Sequence, residues 1–343
     1  MTSLSSRAGD APADPAAALL SVRDLTVEYK TDAGLVAAVE RLSFDVGERQ
    51  TLAIVGESGS GKSAAAMALM GLLPASARVT GSIRFRGREL LGLPERELRA
   101  VRGRHIGIIF QDALAALNPM MTVGDQIAEA VTVHDPTLGR KELAARAADL
   151  LGLVGIPSPE KRLHEYPHEF SGGMRQRVMI AMGMANEPDI LIADEPTTAL
   201  DVTVQAQILE VLRRVQERTG TSVLLITHDL GVVAGVADRV MVMYSGRNLE
   251  LGGAESVFYE PSHPYTRALL DALPRIDRRV PRLTQIPGQL PPPGQRPRGC
   301  PFQPRCPHAR PALCGTESAS PLRVSTLHTT SCVRAHEIEG ELR

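Results

Sequence analysis

The segment Gly56-Glu57-Ser58-Gly59-Ser60-Gly61-Lys62-Ser63 constrains this chain more than any other, because it fits the phosphate-loop pattern at every fixed position. An apolar run at 50–55 precedes it and an Ala-rich run at 64–72 follows, supplying the strand and helix that such a loop needs. Glycines let the backbone wrap closely around phosphates and aim its N–H groups at them from the positive end of a helix. Lys62 adds a point charge for β- and γ-phosphates, and the Ser63 hydroxyl suits Mg²⁺. The bland alternative, a Gly-rich turn before a helix, is disfavoured because strand and helix stand on the correct sides.

The rest of the pattern agrees with a layered α/β domain, since short strand-like runs alternate with longer helical ones from Leu19 onward. Runs at 189–193, 222–227 and 239–244 join 50–55 as Val-, Ile- and Leu-rich strands covered on both faces. They predict the centre of a mostly parallel sheet. Stretches at 20–29 and 37–46 alternate apolar and polar residues, predicting a small antiparallel β subdomain. Helical segments broken by Gly152, Gly155, Pro157 and Pro159 predict an inserted helical subdomain over about 115–178. The expected division is a leader at 1–18, a catalytic domain at 19–275 and a C-terminal region at 276–343.

Charge and hydropathy exclude several classes. With 38 basic against 39 acidic side chains, no overall field exists to hold DNA, RNA or an anionic membrane surface, so no nucleic-acid partner is expected. Residues 1–18 are rich in Ala, Ser, Pro and Asp and lack the basic start and apolar stretch of a secretory signal, which predicts a disordered leader. The longest nearly apolar stretches, such as 64–75, fall short of the roughly 20 residues that cross a bilayer. Any membrane role is borrowed from a partner.

In Asp189-Ile190-Leu191-Ile192-Ala193-Asp194-Glu195-Pro196, two carboxylates end a buried strand, where one can hold Mg²⁺ and the next can orient water toward a γ-phosphate. Alone, such a pair could equally cap the following helix. The phosphate loop upstream gives it meaning.

Shortly before that strand, Phe170-Ser171-Gly172-Gly173-Met174-Arg175-Gln176-Arg177 resembles the signature of ABC-type ATPases. The resemblance covers about 19–273, with the motifs in the family's order. Met174 stands where Gln is common in the family, a departure familiar among peptide-importer ATPases. The resemblance implies that Tyr29 stacks on adenine, Gln111 links the γ-phosphate site to the helical subdomain, and Asp201 belongs to the loop at a dimer interface. It further implies that His228 contacts the γ-phosphate, that Glu195 polarises the attacking water, and that Ser63, Gln111 and Asp194 hold Mg²⁺. Singly, Tyr29 reads as an edge-strand aromatic, Gln111 as a solvated loop residue and His228 as a strand-end histidine. Their joint occurrence carries the assignment.

In such ATPases two domains sandwich ATP, the 56–63 loop of one facing Ser171, Gly172 and Gly173 of the other. This chain therefore pairs with itself or with a second homologous ATPase, the peptide-importer resemblance favouring the hetero-pair. Apolar residues at 110–119 beside Gln111 form an expected groove for a short permease helix, ordinary subdomain packing being the alternative.

Residues 259–270, Ile286-Pro287-Gly288 and Gly299-Cys300-Pro301-Phe302-Gln303-Pro304-Arg305-Cys306-Pro307 are similar to the C-terminal region of dipeptide and oligopeptide importer ATPases. That implies a motor energising di- and oligopeptide import at the cytoplasmic face of the cell membrane, with two permease subunits and an extracytoplasmic substrate-binding protein. Import of nickel or another small solute is the near alternative, because some such importers share this tail. A soluble, non-transport ABC ATPase is the distant one; such proteins usually carry tandem cassettes, coiled-coil insertions or basic surfaces.

Cys300, Cys306, Cys314 and Cys332 are the chain's four cysteines, separated by five, seven and seventeen residues. A reducing cytosol argues against disulfides, and the lack of a close Cys pair argues against the commonest zinc folds. Spacing leaves iron–sulfur, zinc and unligated thiols open. The resemblance implies a [4Fe–4S] cluster on these four thiols, with a structural task in a Pro-rich tail too short to build its own core.

Overall fold

The strand Thr51–Val55 is buried along its whole length, and the computed structural model of the protein is arranged around it. The structure describes residues 18–32, 34–198, 200–273, 285–316 and 321–342, so residues 1–17 of the expected leader lie outside the described residues. Parallel strands flank Thr51–Val55 on both sides, Ser222–Thr227 in register Thr51↔Val223 and Arg239–Tyr244 in register Leu52↔Arg239. Ile190–Asp194 and Ile106–Ile109 extend the parallel set. Arg247–Gly253, Thr329–Thr330 and Leu322–Arg323 add antiparallel strands, completing a sheet of 8. The four strands expected at the centre are adjacent in it, with ends shifted by one residue at most.

Side chains alternate across a strand, so each central strand feeds two cores. Ala53, Val55, Leu191, Ala193, Leu225 and Val242 pack on one face with helical residues such as Ile127, Leu151 and Val178. Leu52, Ile54, Ile190, Ile192, Ile226 and Met241 pack on the other with Val22, Leu25, Val39 and Phe44. These last residues come from a separate four-stranded antiparallel sheet in the order Gly34–Val46, Leu20–Thr31, Ala77–Phe85, Arg88–Glu89. Double burial is why the central strands read as unbroken apolar runs while the outer sheet alternates.

The helical stretch consists mainly of Val123–Thr132, Arg140–Leu153 and Gly172–Gly183. Thr122 caps the first by accepting from the Asp125 N–H, and Glu142 reaches back to the Gly139 N–H at 2.8 Å to start the second. The Ala-rich helix after the loop is Lys62–Leu69, beginning two residues earlier than 64–72 predicts and ending before Gly71, which is left-handed at φ 59°. Among the described residues no helix is long and apolar enough to cross a membrane.

The change of composition near residue 275 does not interrupt the sheet, because Thr330 pairs with Glu250 and Thr329 with Leu251. Phe302, fully buried, packs its ring 5.4 Å from Tyr244 and 5.2 Å from Tyr265. The tail thus shares the first core instead of hanging from it.

Candidate nucleotide site

Thr51–Val55 ends directly in the glycine-rich loop. A Cβ on Gly56 would stand 2.0 Å from the Met243 carbonyl oxygen, and one on Gly61, left-handed at φ 100°, would stand 2.5 Å from that of Ala38. Only glycine fits a chain so close to its neighbours. The turn is closed by the Ser60 N–H donating to the Glu57 carbonyl at 3.1 Å and the Gly246 N–H donating to the Ser60 carbonyl at 2.7 Å. Lys62–Leu69 then begins, its first N–H groups lacking intrahelical partners, as an anion site requires.

Three other loops meet this one because their strands run parallel in the same sheet, which brings their C-terminal ends to one edge of it. Gln111 follows Ile106–Ile109, Asp194 and Glu195 end Ile190–Asp194, and His228 follows Ser222–Thr227. Lys62, almost fully buried, donates from Nζ to the Gly56 and Glu57 carbonyls at 2.8 and 3.0 Å and stands 3.8 Å from Glu195 Oε1. Burial lowers its pKa, opposed by Glu195, Asp194 and Glu57. The Ser63 hydroxyl donates to Asp194 Oδ1 at 3.1 Å. Burial raises the pKa of Asp194, reinforced by Glu195 and opposed by Ser63 and Lys62. A hydroxyl beside a carboxylate is a hard-oxygen donor set that fits Mg²⁺.

Glu195 Oε2 is the hub of the cluster. It accepts from the Thr198 hydroxyl at 2.7 Å and the Gln111 amide at 3.2 Å, and lies 3.2 Å from His228 Nδ1. Its backbone is left-handed at φ 47°, uncommon for a residue with a side chain, and is held there by its N–H donating to the Ile226 carbonyl at 2.8 Å. The structure therefore brings together Lys62, Ser63, Gln111, Asp194, Glu195 and His228.

The other candidate residues lie apart from this cluster. Ser171 caps Gly172–Gly183 by accepting from the Met174 N–H, and Asp201 caps Val202–Thr219 by accepting from the N–H groups of Thr203 and Val204, both at 3.0 Å. The two caps adjoin, since a Cβ on Gly173 would lie 2.6 Å from Val204. Among the described residues no hydrogen bond or ion pair joins Ser171, Gly172, Gly173 or Asp201 to the Lys62–Glu195 group. Tyr29 is half-buried on Leu20–Thr31, opposite Val36 and Ala77, with burial raising its pKa. Thr198, Tyr265 and Arg305 also touch the site; Tyr265 and Arg305 stand in the segments that carry the C-terminal resemblance, which gives neither a place at the loop, and Thr198 carries no signal in the sequence pattern.

A cavity of about 770 Å³ opens beside Gln111, lined by Met67, Phe110, Ala115, Met179 and Met182 among others. Leu114, next in the chain to the lining residue Ala115, is 64% exposed, and Met120 is 83% exposed. A second, small cavity of about 20 Å³ is lined by Cys300, Cys306, Cys314 and Cys332 together with His263 and His308. None of the four cysteines is in a disulfide. Burial pushes the Cys300 thiol up to about 11 and the Cys332 thiol up to about 12. Four thiols around one cavity are a donor set suited to a soft metal centre, yet among the described residues no three His, Cys, Asp or Glu side chains stand as a metal-holding group.

A phosphate loop at the head of a parallel sheet, with buried lysine, paired carboxylates, glutamine and histidine at one edge, defines a P-loop nucleotide-binding protein. Residues 39–198 match the family model described as ABC transporter, and residues 249–314 match the C-terminal region of oligopeptide/dipeptide transporters. The chain is 53% identical to the oligopeptide transport ATP-binding protein OppD of Salmonella typhimurium over 307 residues, 90% of this chain and 91% of that one. It is 51% identical over 316 residues to the dipeptide transport ATP-binding protein DppD of Bacillus subtilis, covering 92% and 94%. OppD of Mycobacterium tuberculosis is 52% identical over 323 residues, 94% of this chain but 53% of that protein, so the chain spans about half the length of the mycobacterial relative. Among solved structures, a dimeric ATP-binding cassette in a post-hydrolysis state with ADP and Pi aligns with a TM-score of 0.62 at 26% identity, over 68% of this chain and 98% of that one. The cbiO1 protein of Clostridium perfringens, part of the ABC transporter complex cbiONQ, aligns with a TM-score of 0.60 at 28% identity, over 71% and 91%. The chain belongs to the ABC transporter ATP-binding family, in the branch that carries the oligopeptide/dipeptide transporter C-terminal region.

Proposed function

We propose that this chain is the ATP-hydrolysing motor of an importer of di- and oligopeptides, peripheral to the cytoplasmic face of the membrane. The observation that carries the reading is the cluster in which Lys62, Gln111, Thr198 and His228 converge on Glu195 beside the phosphate loop. Lys62, released from the Gly56 and Glu57 carbonyls, meets the β- and γ-phosphates. Ser63 and Asp194, with Gln111 nearby, hold Mg²⁺, which neutralises phosphate charge and orients the terminal group. Glu195 accepts from the attacking water and aims it, while Gln111 and His228 read whether the γ-phosphate is present. Tyr29 stacks on adenine.

Among the described residues no hydrogen bond or ion pair ties Ser171, Gly172, Gly173 and Asp201 to the Lys62 cluster, which fits a role in trans. They complete the site of a second ATPase, a homologue forming a hetero-pair in preference to a second copy. Hydrolysis removes the γ-phosphate contacts that hold the pair closed, and opening is passed to two permease subunits served by an extracytoplasmic binding protein. The cavity beside Gln111, with exposed Leu114 next in the chain to its lining residue Ala115, receives a short permease helix.

The four thiols that line one cavity support a [4Fe–4S] cluster as the structural staple of the tail, a group that supplies a fixed four-point crosslink. The test is to isolate the complex through a tag on this chain under anaerobic conditions and to measure its subunits, iron, sulfide and MgATP turnover together. Two permeases, a second ATPase, turnover and about four irons per chain support the whole reading. A complex without permeases or turnover overturns the motor, and zinc or no metal overturns the cluster.

A further inference from the structure

The C-terminal region reaches the phosphate loop itself. Arg305, buried at 9% exposure, places Nη1 at 3.1 and 2.9 Å from the two carboxylate oxygens of Glu57, the second residue of the loop. The same guanidinium donates from Nε to the Pro287 carbonyl at 2.7 Å, from Nη2 to the Ile286 carbonyl at 3.3 Å and from Nη1 to Tyr244 Oη at 3.3 Å. Its own segment therefore fixes it before it meets the loop. From another direction the Glu57 N–H donates to Tyr265 Oη at 3.1 Å, and the Glu57 carbonyl accepts from Lys62 Nζ at 3.0 Å. Residue 57 is thus held at its N–H and its carboxylate by two distant parts of the chain and at its carbonyl by Lys62 of the same loop. A fourth contact comes from Leu290, whose Cδ2 lies 3.5 Å from the place a Cβ on Gly59 would take.

We propose that Arg305 is a positioning residue for nucleotide binding, acting through Glu57 on the phosphate loop. The proposal rests on the reading of that loop as the ATP site. Two physical effects give Arg305 this role. A charge-assisted contact from one guanidinium nitrogen to both carboxylate oxygens, made by a buried arginine, holds the loop in its binding shape, so that less ordering is left to be done when nucleotide arrives. Glu57 is also a carboxylate on a loop built for polyanions, and without a cation beside it that charge repels the incoming phosphates. Arg305 both anchors and neutralises it. The tail that distinguishes this branch is, in these terms, part of the nucleotide site.

The two effects predict a rescue that a merely structural role does not. With the full chain and a fluorescent ATP analogue plus Mg²⁺, Arg305→Met should weaken binding about tenfold. In the membrane complex it should raise the KM for ATP by a similar factor and leave kcat within about twofold. Adding Glu57→Gln to Arg305→Met removes the unneutralised carboxylate and should recover at least half of the lost affinity on a logarithmic scale. Arg305→Lys, which keeps the charge without the Nε and Nη2 bonds to Pro287 and Ile286, covers the case in which Arg305→Met does not fold, and is expected to lose about threefold. Wild-type chain that binds no nucleotide overturns the ATP-site reading and this proposal with it. Wild-type binding together with unchanged affinity in both Arg305 variants, or no recovery in the double variant, overturns this proposal alone.

Discussion

Replacing Glu195 by Gln changes one oxygen to an amide where Lys62, Gln111, Thr198 and His228 converge, and two consequences of opposite kind follow. The amide oxygen can still accept from Thr198 and Gln111, which now bond the carboxylate at 2.7 and 3.2 Å, so the loop keeps its shape. The charge 3.8 Å from Lys62 disappears. At an effective dielectric of about 20 that attraction is about 4 kcal/mol, largely offset by the cost of burying both ions. Lys62 keeps its two carbonyl partners and loses a competitor for the phosphates, so ATP binding should be retained or tightened. The amide has no basicity toward water, and loss of a positioned base costs about 10²- to 10⁴-fold in rate, or about 3–5 kcal/mol of barrier. Single-turnover release of γ-phosphate by the membrane complex, paired with analogue binding by the full chain, reads both effects. Hydrolysis within tenfold of wild type, or loss of ATP binding in parallel with hydrolysis, would refute the reasoning.

Three other outcomes check separate parts of the account. Burial pushes the Glu40 carboxyl up, yet Arg247 and Arg296 at 2.7 and 2.8 Å outweigh it and hold the carboxyl below its ordinary 4.5. Its stabilisation is therefore present above that value and lost as pH falls through the depressed folded pKa, so Glu40→Gln should cost about 1–2 kcal/mol at pH 7 in urea titration and progressively less in acid. Ile54→Ala empties a fully buried position between the sheet and the outer strands and should cost about 2–5 kcal/mol by denaturant unfolding. Cys306→Ser should lower iron content and the melting temperature of the tail while the full chain still binds ATP analogue; unchanged metal content and melting would remove Cys306 from any metal centre.

Legibility in the sequence followed the range of the interaction. The central strands were readable because burial on both faces writes an apolar run into the chain, and 222–227 and 239–244 match Ser222–Thr227 and Arg239–Tyr244 end to end. Helix starts were less so: Lys62 and Ser63 read as loop chemistry, yet they already form the first turn of Lys62–Leu69. The stretch at 110–119 yields only the four-residue helix Ala113–Ala116, capped by Asp112, which no periodicity of so short a segment reveals. Glu195 and its partners were expected from motif order, but the Thr198 hydroxyl on Oε2 was not, since a Thr after Pro196 and Thr197 is ordinary turn composition. Arg305 meets Glu57 across 248 residues, and Thr329–Thr330 joins the main sheet as a two-residue polar strand. Neither leaves a local pattern, because both are decided by tertiary packing alone.

On the proposed function, ATP turnover at the Lys62–Glu195 cluster drives peptide movement across a membrane. The most direct measurement is uptake of a labelled oligopeptide into proteoliposomes holding the complex isolated through this chain, with its binding protein on one side and MgATP on the other. Uptake should require ATP and be abolished by Glu195→Gln. Sustained ATP hydrolysis with no uptake of any di- or oligopeptide, or uptake undiminished by Glu195→Gln, would contradict it.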